Sequence, residues 1–179
     1  MTARRSAVVF AVILIATLAV DQGTKVWAHS LPVTPAECAR PRDLVAYRCA
    51  GVPQSVIAGY WDWELAYNSG IAFSTFAGHT GTQVVLALIA VLALVGISVL
   101  ALRTRPDERW KRAAYALVAG GALGNLVDRL RDGAVTDFVR WRINEHRWPI
   151  FNVADAALVI GIMVLLLDGM RRQRSRAAT

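Results

Sequence analysis

The chain has 179 residues, 55% of them hydrophobic, a mean hydropathy of +0.40 and a formal charge of +7. That hydropathy is high for a soluble domain of this length and points to a membrane protein. The basic residues cluster at the ends of apolar runs, which sets nucleic-acid binding aside, and the 2 cysteines and 3 histidines are not spaced as ligands, so neither a metal nor a cofactor is expected.

A short basic start is followed by an apolar run from Ala7 to Val20. Alone, this resembles a secretory signal. It continues, however, into Asp21, Thr24 and Lys25 and is followed by three more apolar runs. One helix over about residues 7–27 is therefore expected, with Asp21, Thr24 and Lys25 sharing a face turned into a bundle. Residues 28–81 form the extracytoplasmic segment. It holds most of the 6 prolines (Pro32, Pro35, Pro41, Pro53) and both cysteines, Cys38 and Cys49. The aromatic stretch Tyr60 to Tyr67 alternates in a way that suits strands at a membrane surface. Asn68, Gly70, Ala72 and Phe73 follow, with Gly70 allowing a tight backbone and Asn68 offering both a donor and an acceptor.

Val84 to Leu102 is uninterrupted by charge and is the clearest span, predicted over 82–102. A third span is predicted over 113–131. In it Gly120, Gly121 and Gly124 let another backbone approach, and Asn125, Asp128 and Arg129 share a face. Arg131 to Pro149 reads as a polar loop anchored by Trp141 and Trp148, and a fourth span is predicted over 150–169. Four spans place both termini on one side. More than half of the 20 basic residues lie there, in short flanks: Arg4, Arg5, Arg103, Arg105, Arg109, Lys111, Arg112, Arg171, Arg172, Arg174 and Arg176. This bias makes that side cytoplasmic. The fold class read from the sequence is an all-α polytopic membrane protein with four transmembrane helices and a small β-rich extracytoplasmic segment.

Asp137 and Asp155 are the expensive residues of this chain. Asp155 opens the last apolar run and Asp137 stands in the loop before it, so both fall near the outer membrane face, where an ionisable group is a functional candidate. Two carboxylates brought together share a proton, and one can act as acid while the other acts as base. The competing reading makes Asp155 a helix-start aspartate and leaves Asp137 solvated in the loop. Asn152 is either a carboxylate or substrate partner or an N-cap. Asp128 and Arg129 are either a third acid with a catalytic cation or structural charges, as Asp21 and Lys25 can be. Cys38 and Cys49 lie outside, where a disulfide is chemically permitted. A different class of function, a small non-catalytic transporter or assembly factor binding protons or cations, uses the same intramembrane acids; it requires a site near the midplane, whereas these acids gather towards one face.

In order and spacing, Asp21-x-x-Thr-Lys25, Asn68-Ser-Gly70-Ile-Ala72-Phe73, Gly120-Gly121-Ala-Leu-Gly124-Asn125-Leu-Val-Asp128-Arg129, Thr136-Asp137-Phe and Phe151-Asn152-Val-Ala154-Asp155 resemble the bacterial lipoprotein signal peptidases, the signal peptidase II family. The resemblance implies that residues 1–179 form one integral-membrane aspartic peptidase domain in the inner membrane. Its substrates would be diacylglyceryl-modified prolipoproteins, cut on the amino side of the lipidated cysteine, with membrane lipid as surroundings and globomycin as inhibitor. A monomer is expected. The catalytic pair falls on Asp137 and Asp155. Supporting residues fall on Asp21, Lys25, Asn68, Gly70, Gly121, Asn125, Asp128, Arg129, Asn152 and Ala154. The stretch 34–53 looks inserted relative to the family, which bears on substrate access.

Overall fold

The computed structural model describes residues 3–34, 50–69, 80–105, 107–143 and 145–177. Among the described residues are four long helices, with strands between the first and second and between the third and fourth. The helices are α1 (Ala3–Ala28), α2 (Thr80–Arg103), α3 (Arg109–Asp132) and α4 (Val153–Ala177). Gly70, Ala72, Phe73, Cys38 and Cys49 lie outside the described residues.

Three helices are long and apolar enough to cross a membrane: Arg5–Ala28, Val84–Arg103 and Val153–Ser175. The exception, α3, packs against each of the other three. A helix surrounded by helices has little contact with lipid, so its inward positions can be small or polar without a bilayer penalty. Its buried residues include Ala116, Ala119, Gly120, Gly121, Gly124, Asn125 and Asp128. The lipid-type exposure falls instead on α1, α2 and α4, where Val12, Leu92 and Leu166 stand open. The helix ends at Gly133, whose φ of 71° is left-handed and whose N–H donates to the Arg129 carbonyl. A glycine takes that conformation without a Cβ clash.

The strands are β1 (Val33–Thr34), β2 (Ala50–Gly51), β3 (Gln54–Ile57), β4 (Trp61–Asn68), β5 (Val135–Ile143) and β6 (His146–Arg147). β1 pairs antiparallel with β2, Val33 opposite Gly51 and Thr34 opposite Ala50. The other four form an antiparallel sheet in the order β3-β4-β5-β6. This corrects one expectation. Residues 131–149, read as a polar loop, contain β5, the strand on which Asp137 sits. Val135-Thr-Asp-Phe-Val-Arg-Trp-Arg-Ile143 is rich in β-branched and aromatic residues, and pairing with β4 uses them.

Beneath the sheet, Ala28, Leu65, Phe138 and Val139 form a small core, with Trp61, Trp63 and Phe151 packed against it. Trp27 reaches from the end of α1 and meets Trp63 edge-on at 5.1 Å. Such contacts fix the sheet against the helices. Trp61 and Trp63 therefore face this core, whereas Trp141 and Trp148 stay largely exposed, as expected of interface residues.

Candidate active site

The convergence of Asp137 and Asp155 depends on one irregular pairing. The Phe138 and Val139 N–H groups both donate to the Phe151 carbonyl, and the Phe151 N–H returns a bond to the Val139 carbonyl. The residue before α4 is thereby clipped to β5. Asn152 comes next, and its side-chain amide donates to Asp137 Oδ1 at 2.6 Å.

Asn152 also starts α4. Its Oδ1 accepts the Asp155 N–H at 3.0 Å, while Asp155 Oδ2 accepts the Asn152 N–H at 3.3 Å. This reciprocal pair satisfies two donors that a helix start leaves open. The two readings of Asn152 thus describe one arrangement, because the cap residue also touches both aspartates. Its Nδ2 further lies 3.2 Å from Asn125 Oδ1 and from the Thr136 carbonyl. Asn125 in turn donates to Asp155 Oδ1 at 2.8 Å.

Behind Asn125 lies a buried ionic cluster. Lys25 is 1% exposed, and its ammonium meets Asp21 Oδ2 at 2.9 Å, Asp128 Oδ2 at 2.9 Å and Asn125 Oδ1 at 3.0 Å. Three acceptors use its three hydrogens. Asp21 Oδ1 accepts the Ala154 N–H at 2.9 Å, so a carboxylate from α1 caps the start of α4. Asp128 Oδ2 accepts the Thr136 N–H at 3.0 Å, tying α3 to β5. Gln22, which sequence reasoning missed, donates towards Asp128 Oδ1, Asp21 Oδ2 and the Gly124 carbonyl. Thr24, expected on the inner face, instead bonds the Val20 and Asp21 carbonyls of its own helix. Gln22 and Thr24 flank the Asp21–Lys25 face on opposite sides, and helical spacing alone does not say which flank meets α3.

The four acids therefore fall into two kinds. Asp21 and Asp128 share the Lys25 ammonium and accept further N–H donors. Asp137 and Asp155 make no ion pair among the described residues; their partners are neutral amides from Asn152, Asn125 and, for Asp137, Asn68. Asp137 is 3% exposed. Burial, reinforced by the neighbouring Asp155 charge, pushes its carboxyl up to about 8. This overturns the reading of Asp137 as a solvated loop residue. Arg129 lies within electrostatic range of Asp155, Asp137 and Asp128. It donates to the Asn125 carbonyl at 3.3 Å, while its buried Nε has no hydrogen-bond partner among the described residues.

The glycines of α3 make this closeness possible. A Cβ on Gly124 would fall 2.4 Å from Asp21 Oδ2, and one on Gly121 would fall 2.4 Å from the Ala154 carbonyl oxygen. Gly121 is buried against α4, where its missing side chain lets the two backbones approach. Asp137 itself opens onto a cavity of about 480 Å³, which is also lined by Asn68, Arg140, Arg147 and Trp148.

A buried cluster thus immobilises two carboxyls, without ion pairs among the described residues, where β5 meets the start of α4. Residues 13–171 match the family model described as signal peptidase (SPase) II. The chain is 36% identical over 158 residues to the lipoprotein signal peptidase of Xylella fastidiosa (strain 9a5c), covering 87% of this chain and 84% of that protein. It is 35% identical over 175 residues to the lipoprotein signal peptidase of Xanthomonas campestris pv. campestris (strain 8004), covering 97% and 95%. Two solved structures described as bacterial membrane enzymes share the fold. One has a TM-score of 0.73 at 22% identity, covering 92% of this chain and 89% of that one; the other has a TM-score of 0.72 at 23% identity, covering 89% and 91%. The chain belongs to the signal peptidase II family and is a membrane peptidase. The transporter or assembly-factor alternative has no further basis.

Proposed function

We propose that this peptidase is of the aspartic type, that Asp137 and Asp155 are its catalytic pair, and that it removes signal peptides from diacylglyceryl-modified prolipoproteins on the amino side of the lipidated cysteine. The observation that carries this reading is the double contact of Asn152, whose Nδ2 bonds Asp137 while its backbone N–H bonds Asp155. The pair shares one proton. Asp137, with its raised pKa, enters as the acid. Asp155 is supported as the base by two donors that favour a carboxylate.

Asp155 takes a proton from a water whose oxygen adds to the scissile carbonyl. Asp137 gives its proton to the cysteine nitrogen, and the C–N bond breaks. The pair ends with its proton on the other member. Arg129, within electrostatic range of both acids and with a buried Nε that has no partner among the described residues, is the cation assigned to the charge that develops on the carbonyl oxygen.

In this reading all four helices span the inner membrane, with α3 shielded at the centre and both termini cytoplasmic. The pair lies near the outer leaflet, reached laterally by a lipid-modified substrate, and the enzyme acts as a monomer. Asp21, Lys25, Asn125 and Asp128 hold the pair in place. Gly70 belongs to the same set by family pattern. The test is a gel-shift assay with purified protein and a diacylglyceryl prolipoprotein, with and without globomycin. A shift that globomycin blocks is expected; an unshifted lipidated substrate overturns the proposal.

A further inference from the structure

Asp62 and Glu64 on β4 are both buried, at 3% and 8% exposure, and each is answered across the sheet. Arg142 meets Asp62 at 3.0 Å and Arg140 meets Glu64. These pairs cancel in charge. Arg147, the second residue of β6, does not cancel. It is exposed, lines the Asp137 cavity and makes no ion pair among the described residues, even with Glu145 two positions earlier. Burial biases Asp137 towards its neutral form, and Arg147 on the exposed rim gives the cavity a positive charge.

The position of the cavity says what enters it. Its walls come from β4, β5, β6 and the Trp148–Ile150 segment, all outside the membrane-crossing stretches. Asp155, at the start of α4, is not among the residues that line it. A chain cut between these two acids keeps its apolar signal segment among the helices and leaves the bilayer over the sheet. We propose that this cavity is a subsite for the residues that follow the lipidated cysteine, and that Arg147 makes it favour acidic over basic side chains there. The inference rests on the peptidase reading above.

A rim-exposed charge pair is screened, so the preference is modest, about fivefold in kcat/KM between an acidic and a basic residue. The test uses full-length enzyme and three diacylglyceryl prolipoproteins identical except for Asp, Asn or Lys at the second residue after the cysteine. The wild type is expected to cut in the order Asp, Asn, Lys. Raised salt should compress the Asp-to-Lys ratio, Arg147→Glu should invert it and Arg147→Lys should retain it. A ratio near one in the wild type, or one unchanged by Arg147→Glu, overturns the subsite while cleavage of the Asn substrate upholds the peptidase. Failure of the wild type to cut even the Asn substrate overturns the peptidase reading and the subsite with it.

Discussion

Asn152 joins two roles that separate substitutions can pull apart. Its Oδ1 caps α4 through the Asp155 N–H, and its Nδ2 holds Asp137 at 2.6 Å. Losing the cap costs about 1 kcal/mol. Leaving the buried Asp137 carboxyl without this partner costs about 1–3 kcal/mol. Asn152→Ala removes both contributions, a total of about 2–4 kcal/mol from a protein whose margin is about 5–15 kcal/mol, so it still folds. Asn152→Ser keeps a hydroxyl able to accept the Asp155 N–H but has no amide to offer Asp137. At about 2–4 °C per kcal/mol for a chain of this size, the serine variant should melt about 2–4 °C above the alanine variant in detergent. Both should lose activity alike, by about 10- to 100-fold, since each leaves Asp137 unheld. Thermal unfolding and single-turnover cleavage read the two effects separately. Equal melting of the two variants refutes the cap, and near-normal cleavage by Asn152→Ser refutes the hold on Asp137.

Lys25→Met strands Asp21 and Asp128 face to face without their ammonium and should cost about 3–5 kcal/mol, read as a fall in melting temperature; adding Asp128→Asn should recover part of it. Gly124→Ala drives a methyl into the Asp21 carboxylate, so it should lower both melting temperature and cleavage, whereas Gly23→Ala, inside α1 with nothing within 4 Å of the added atom, should raise the melting temperature slightly and leave cleavage unchanged. The Asp137 carboxyl is raised from 3.8 to about 8 in the fold, so the folded state holds a proton that the unfolded state releases above about pH 4. Its contribution to stability is therefore full below pH 4 and lost as pH rises through about 8, and the fall in melting temperature between pH 6 and pH 9 should be smaller in Asp137→Asn than in the wild type. Cleavage by the wild type should decline over the same alkaline range as the acid is lost.

Much of the site was legible because its residues contradict their surroundings. Asp21, Lys25, Asp128 and Asp155 are charges in or beside apolar runs, and such residues advertise themselves. The four helices were legible in place, although α4 runs on to Ala177, well past the 169 predicted. β5 was not, because its run of Arg140, Trp141 and Arg142 looks like a polar interfacial loop until β4 supplies the opposing Glu64 and Asp62. Gln22 was not, because an uncharged amide carries no penalty that marks it, and only the packing of α1 on α3 decides which flank of the helix turns inward. α3, predicted as a span, is not among the helices apolar enough to cross a membrane, since a helix packed against three others carries small and polar residues inward. Asn152 was legible as a cap or as a site residue, but that it serves as both depends on the Phe151 clip to β5, a tertiary pairing with no local signature.

The central claim is that Asp137 and Asp155 together perform the hydrolysis. The direct measurement is cleavage of a diacylglyceryl prolipoprotein by purified Asp137→Asn and Asp155→Asn, each first shown to insert and to melt as a folded protein. Release of the signal peptide should be abolished in both. Cleavage at the wild-type rate by either one would contradict the claim.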